Sequence, residues 1–166
     1  AYEEQILLTG AEESSWSWLD NSVFHITVPS EHLPTVIMLE ANRFQHNAWG
    51  DADLELSVGG VQGSFNMQAA SPQEKLNREV FGTAFSAHPY GWPTIGYEED
   101  IGSYTQETKN IQGFYETWYR PSTTRIVVAG DFDVEATLTQ IQLSYGVWEE
   151  PSAAAPAVKA EPEQTK

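Results

Sequence analysis

Residues 114–131 read F-Y-E-T-W-Y-R-P-S-T-T-R-I-V-V-A-G-D and combine two kinds of pattern. The aromatic first half is most simply part of a hydrophobic core, and we expect it to end a helix that runs from about Thr105 to Tyr119. The second half, Thr124–Ala129, is a β-branched apolar run that ends at Gly130-Asp131, which predicts a buried strand. This stretch therefore indicates a domain that combines helices with a sheet.

The residues on either side extend the same pattern. Two strands are predicted around Trp16 and over Val23–Val28, joined near Asp20-Asn21. Ser30 is predicted to cap a helix, because serine at this position accepts a hydrogen bond from the first turn. The other predicted helices are Tyr2–Leu8, Asp51–Met67 (weakened by Gly59, Gly60 and Gly63), one that begins at Ser71-Pro72, and Val134–Leu143. Strands, then helices, then strand and helix predict an α+β fold with an antiparallel or mixed sheet and helices packed on one face.

Composition excludes several classes of function. The chain has 166 residues, a net charge of −16 and only 8 Lys and Arg, so it has no surface for nucleic acid or for an anionic membrane. It has no cysteine, which excludes disulfides and thiolate zinc sites. From residue 150 onward Ala, Pro, Glu and Lys dominate, so we expect one domain over residues 1–149 and an interdomain linker or disordered tail over 150–166.

Four stretches resemble the sequence of one known family. They are Leu39–Phe44 (L-E-A-N-R-F), His88–Gly96 (H-P-Y-G-W-P-T-I-G), Phe114–Pro121 and Ile126–Asp131. They are similar, in order, to the L-E-A-D-R-M, H-P-Y-x-x-P-x-I-G, F-Y-x-x-x-Y-x-P and I-V-V-V-G-D motifs of the pitrilysin/insulinase (inverzincin) zinc peptidases, which include the mitochondrial processing peptidase subunits. The resemblance implies an N-terminal-type metallopeptidase domain whose first strands and zinc helix would precede Tyr2.

The zinc ligands that the resemblance implies are not present. The family takes two histidines and a general base from H-x-x-E-H, and this sequence has no such motif. The third ligand is a glutamate on a later helix, and the matching position here is Ser64, or Gln62 in another register. Glu55 and Glu74, the nearest carboxylates, fall outside that register. We therefore predict no catalytic residue, no metal ligand and no cofactor in this chain, although zinc is the cofactor of the family.

The four histidines do not suggest another metal site. His25 is predicted on a strand, His32 at a helix start, His46 beyond a helix and His88 in a loop. No two of them have the i,i+4 spacing that would place them on one helix face.

One element could still bind a substrate. The family pairs an edge strand carrying N-A-x-T with the substrate backbone, and the matching residues here are Ser14, Ser15, Trp16 and Ser17. The family's Asn and Ala are both replaced, so an ordinary edge strand is the alternative interpretation. Trp16 and Trp18 would share one face of that strand and could hold a peptide or a partner subunit.

These observations predict a non-catalytic, peptide-binding domain of a zinc metallopeptidase-family protein, an inactive subunit or half. One alternative is a fragment of an active zinc metalloendopeptidase whose H-x-x-E-H lies upstream; another is a purely structural scaffold subunit. The expected partners are a peptide or protein substrate and a second family domain or catalytic subunit. We also expect self-association through Ser14–Leu19. The bacterial style of the motifs and the lack of cysteine favour the cell envelope.

Overall fold

The computed structural model of the chain describes residues 2–47, 50–104, 108–152 and 154–164. Two strands, β1 (Glu12–Ser17) and β2 (Ser22–Thr27), pair antiparallel, with Glu12 opposite Thr27 and Ser17 opposite Ser22. The helices are α1 (Tyr2–Leu8), α2 (Leu33–Gln45), α3 (Asp51–Ala70), α4 (Pro72–Ala84), α5 (Glu98–Ile101), α6 (Thr108–Trp118) and α7 (Val134–Tyr145). A small antiparallel sheet among many helices confirms the predicted α+β class.

The chain divides into two compact units. The first unit comprises Ala1–Ser17, Asn21–Ala48 and Tyr115–Ala153. Its core lies between α1, α2 and the sheet, where Ile26 and Val28 pack against the buried side chains Ile6, Val36 and Leu39. Helices thus cover one face of the β1–β2 hairpin, as the sequence predicts. Helix α7 also packs on α2, and the Gln45 side chain donates a 2.9 Å hydrogen bond to the carbonyl of Ser144 at the end of α7.

The second unit comprises Trp18–Asp20, Trp49–Phe114 and Ala154–Lys166. Helices α4 and α5 both pack on α3. The buried side chains of this unit include Leu54 and Phe65 on α3 and Ile101 on α5, and Ile101 is fully enclosed. The long helix α3 continues through its three internal glycines, because flanking residues pack it against α4 and α5 and offset the low helix propensity of glycine.

Most of the predicted helices are confirmed. Helix α1 has the predicted bounds, while α3 and α7 extend a few residues beyond their predicted ends. Helix α4 begins as predicted, because the Ser71 hydroxyl accepts from the amide of Glu74. Helix α6 begins at Thr108; the predicted start near Thr105 lies outside the described residues.

Two local predictions are wrong. Ser30 does not cap α2: it begins a short 3-10 turn, Ser30–His32, which leads into α2 at Leu33 and has no side-chain cap bond. Thr124–Ala129 is not a strand, since the described sheet contains only β1 and β2. An extended run becomes a strand only when a neighbour pairs with its backbone, and this run has no strand neighbour among the described residues. Helix α5 is not predicted by the sequence at all.

Residues 154–164 contain no helix or strand, yet they contact the last residue of α4 and the loop that follows it. Their role as an interdomain linker stays a prediction. Within the described ranges, no helix combines the length and the apolar character needed to cross a bilayer.

Candidate functional site

The candidate substrate strand is exposed along its whole length. All six residues of β1 are solvent-exposed, and Trp16 keeps 54% of its surface accessible although it lies opposite Val23. Within the described residues the sheet contains only two strands, so the outer edge of β1 has no strand partner there. Its backbone groups can therefore accept an extended segment, which is the geometry of strand addition.

Trp18 does not share that strand. β1 ends at Ser17, and Trp18 belongs with Leu19 and Asp20 to the second unit. Strand alternation therefore does not extend to Trp18, and the prediction that Trp16 and Trp18 lie on the same strand is wrong.

The sequence alone does not reveal where Trp18 lies. It lines an open groove with a volume of about 50 Å³ together with Arg78, Phe81, Tyr90 and Trp92. The Tyr90 hydroxyl donates a 2.6 Å hydrogen bond to Asp20, and this bond raises the pKa of Tyr90. The sequence contains both signals, a turn at Asp20-Asn21 and the tyrosine of H-P-Y, but nothing local links residues 70 positions apart.

The position matching the family's third zinc ligand does not fit zinc. Ser64 and Gln62 lie on α3, both partly exposed, and the Gln62 amide bonds to the Asn66 side chain at 3.3 Å. A hydroxyl and a carboxamide lack the charge of the carboxylate they replace. Glu55 and Glu74 are exposed on α3 and α4. Among the residues that the structure describes, no three His, Cys, Asp or Glu side chains are grouped to hold a metal ion.

The histidines occupy separate elements, as predicted. His25 lies on β2 opposite Ser14, His32 ends the 3-10 turn before α2, and His46 follows α2. His88 is engaged within its own loop, where its Nδ1 accepts from the amide of Tyr90 at 3.1 Å. They do not form a common site.

The L-E-A-N-R-F motif forms the centre of the first unit. Arg43 donates to both carboxylate oxygens of Glu40, at 2.9 and 2.6 Å, and the Tyr2 hydroxyl donates to the same carboxylate. The Arg43 guanidinium lies 4.8–5.1 Å from the centres of the Tyr2, Phe24 and Phe44 rings. Burial by itself would lower the pKa of Arg43, but the bonds to Glu40 raise it overall, so the side chain stays charged.

The F-Y-E-T-W-Y-R-P motif packs on the same cluster. The Tyr115 hydroxyl donates a 2.9 Å hydrogen bond to the carbonyl of Phe44, and the centre of the Tyr119 ring lies 6.0 Å from the centre of the Phe44 ring. The next residue, Arg120, is buried and donates to the carbonyl of Pro151 at 2.8 Å. The L-E-A-N-R-F and F-Y-E-T-W-Y-R-P motifs thus stabilise the fold of the first unit, in line with the interpretation that the aromatic residues of the second motif belong to the core.

Comparison with known sequences identifies peptidase relatives. The model of a family described as "Peptidase M16 inactive domain" matches residues 107–166. The zinc protease PqqE of Helicobacter pylori is 38% identical over 61 residues, which cover 37% of this chain and 13% of that protein. The chain thus spans about an eighth of this curated relative.

Comparison with solved structures extends the likeness to the whole chain. A protease from Helicobacter pylori matches 98% of this chain and 39% of its own, with a TM-score of 0.90 and 20% identity. The ferredoxin protease FusC, solved as a mutant in complex with Arabidopsis ferredoxin, matches 90% of this chain and 16% of its own, with a TM-score of 0.75 and 19% identity. The first half of the periplasmic protease PqqL from Escherichia coli matches 93% of this chain and 33% of its own, with a TM-score of 0.72 and 14% identity. These structural matches show a shared fold.

Proposed function

We propose that this chain, which matches M16 peptidases in sequence and in fold, is a non-catalytic domain of a larger protein of the pitrilysin/insulinase family and holds peptides along the outer edge of β1. The observation that carries the proposal is an exposed strand whose outer edge has no strand partner in the described residues. Glu12 and Glu13 on the same strand add negative charge and favour peptides with basic residues.

The proposed binding relies on main-chain hydrogen bonds. An extended peptide added beside β1 would satisfy its outward backbone groups, and Trp16 supplies an exposed aromatic surface for a side chain of the peptide. The serines on either side are small and leave the edge open. Such an edge gives affinity without chemistry, which is compatible with the missing zinc ligands.

Two other functions compete with this proposal. An active metalloendopeptidase would need its H-x-x-E-H and its third ligand from residues outside this sequence, whereas a scaffold subunit would need neither zinc nor a peptide-binding edge. A second family domain or a catalytic partner subunit is the partner that a non-catalytic half requires. The neighbours include a protease in complex with ferredoxin and the first half of a protease, which supports both kinds of partner.

A backbone-methylated peptide tests the mode of binding. We expect a basic, extended peptide to bind the full chain, and the same peptide N-methylated at alternate residues to bind at least ~tenfold more weakly, because each lost strand hydrogen bond costs about 1 kcal/mol. The two peptides have the same charge, so the difference isolates main-chain pairing. Titration calorimetry measures both affinities.

A matched pair of variants locates the site. Trp16→Lys should weaken binding, and Trp92→Lys, at an exposed tryptophan of the second unit, should leave it unchanged. Equal affinity for the methylated and unmethylated peptides would show that charge alone attracts the peptide and would refute strand addition.

The absence of a metal is also a proposal and has its own test. We expect less than stoichiometric zinc in the purified chain after dialysis, because neither Ser64 nor Gln62 supplies a carboxylate and the sequence lacks H-x-x-E-H. Elemental analysis by mass spectrometry measures it. One zinc per chain that survives dialysis would contradict the proposal and favour the enzyme alternative.

A further inference from the structure

A carboxylate lies in a ring of donors at the loop that follows α4. Oε1 of Glu161 accepts from the amide of Ser86 at 2.8 Å and from its hydroxyl at 2.6 Å. Oε2 accepts from the amides of Ala87 at 2.9 Å and His88 at 2.8 Å. Three consecutive backbone amides and one hydroxyl thus converge on a single side chain, and all of these residues belong to the second unit.

The loop that supplies these donors is held in place by its own contacts. The His88 ring accepts the amide of Tyr90, and the Phe85 ring lies 5.3 Å from the Tyr90 ring and 5.8 Å from the His88 ring. Gly91 passes so close to the end of α4 that a Cβ there would lie 2.4 Å from the carbonyl oxygen of Phe85. A loop held this way presents its amides without first having to be ordered, which lowers the entropic cost of binding an anion.

We propose that residues 86–88 form a carboxylate-binding site whose ligand in this chain is Glu161, and that this contact holds residues 154–164 along the loop as a strap. The side chain of Gln164 makes a second contact, a 2.9 Å hydrogen bond that its amide group donates to the carbonyl of Ala84. The strap thus contacts the loop through Glu161 and the last residue of α4 through Gln164. The sequence motif H-P-Y provides one of the donors through the amide of His88.

The chemistry selects a carboxylate rather than a neutral group. Each oxygen of Glu161 accepts two hydrogen bonds, and charge-assisted bonds of this kind are roughly twice as strong as neutral ones. The bonds from Ser86, and then those from the His88 and Ala87 amides, lower the pKa of Glu161 to about 2, so the group is fully charged at neutral pH. A glutamine in its place would present an NH₂ group to two of the four donors.

Covalent linkage explains why a single side chain can fill the site. The strap is part of the same chain, so its effective concentration at the loop is of millimolar order. A free peptide with the same carboxylate would compete only at comparable concentrations. Removal of the internal ligand should therefore open the site to an acidic peptide supplied from solution.

Amide exchange on the full chain tests the internal contact. We expect the amides of residues 86–88 to exchange with solvent several-fold faster in Glu161→Ala than in the parent chain, with Glu161→Gln between the two. Glu163→Gln, an exposed carboxylate on the same segment, serves as the matched control and should leave their exchange unchanged. Amides of the β1–β2 hairpin report whether each variant keeps its fold.

A synthetic peptide of residues 156–164 tests the site itself. It should shift the amide resonances of residues 86–88 in Glu161→Ala when added at millimolar concentration, and the same peptide with glutamine at position 161 should not. Unchanged exchange in Glu161→Ala, or equal shifts from both peptides, would overturn the proposal. Neither result bears on peptide binding at β1, which lies in the other unit.

Discussion

The charged cluster of Glu40 and Arg43 offers a quantitative test of the structural role of the L-E-A-N-R-F motif. Glu40→Gln keeps the shape of the side chain but removes its charge, and it turns an NH₂ group toward the Arg43 donors. The guanidinium would then remain charged among three aromatic rings after losing the Glu40 carboxylate that pairs with it. The loss should destabilise the first unit.

The size of the effect follows from the exposure of the pair. The side chain of Glu40 is 13% exposed and that of Arg43 is 30% exposed. Breaking a fully buried pair costs about 3–5 kcal/mol, whereas an exposed pair contributes roughly 0–1 kcal/mol. For this intermediate burial we expect Glu40→Gln to lower the free energy of unfolding by about 2–3 kcal/mol. In a chain of this size that corresponds to a fall in Tm of roughly 4–12 °C.

Urea denaturation, followed by circular dichroism and tryptophan fluorescence, measures the change. Glu31→Gln is the matched control, because the Glu31 side chain is 79% exposed, and it should change stability by less than about 0.5 kcal/mol. The double variant Glu40→Gln/Arg43→Met removes both charges. It should be more stable than the sum of the single effects by about 1–2 kcal/mol, since it leaves no unpaired charge. Additive effects, or a Glu40→Gln chain as stable as the control, would refute this account.

Three further results are expected. Gly60→Ala should raise stability by about 0.5–1 kcal/mol, since a Cβ there meets open space in the middle of α3, whereas Gly10→Ala should lower it, because φ at Gly10 is +69°; thermal unfolding compares the two. The Glu161 carboxylate keeps its hydrogen bonds above its unfolded pKa of 4.5 and loses them only as the pH falls through about 2. In a pH titration the amide resonances of residues 86–88 should therefore show no inflection near pH 4.5. A titration midpoint at that pH would contradict the Glu161 contact. The chain should self-associate through β1, so light scattering over a concentration series should show dimers that Trp16→Lys abolishes; a monomer at high concentration in both forms would rule this out.

Local signals in the sequence account for most of the helices. The Ser71-Pro72 start of α4 depends on a hydroxyl and an amide only three residues apart, and a proline that suits the first turn. The β1–β2 hairpin likewise depends on local features, the apolar residues Val23, Phe24 and Ile26 of β2 and a short turn. The motifs around Glu40, His88, Tyr115 and Val127 also indicate the family from the sequence alone. Capping, turns and motifs act over a few neighbouring residues, so the sequence displays them directly.

Other features depended on partners that the sequence does not display. The apolar run of Thr124–Ala129 has the composition of a strand but no strand neighbour in the described sheet. Helix α5 is short and acidic, and its stability comes from Ile101, which is enclosed in the second unit. Propensity is a weak influence on such short segments, and tertiary contacts override it.

The candidate sites also depend partly on local sequence and partly on tertiary contacts. The sequence by itself determined that this chain has no H-x-x-E-H, no acid at the third-ligand position and a serine-rich strand at Ser14–Ser17. Only the tertiary structure decided that Glu161 lies against the amide of Ser86, and that Trp18 leaves the strand to line a groove with Tyr90. The physical reason is the separation along the chain: these partners lie 70 or more residues apart, and only the folding of the second unit brings their hydrogen-bonding groups together.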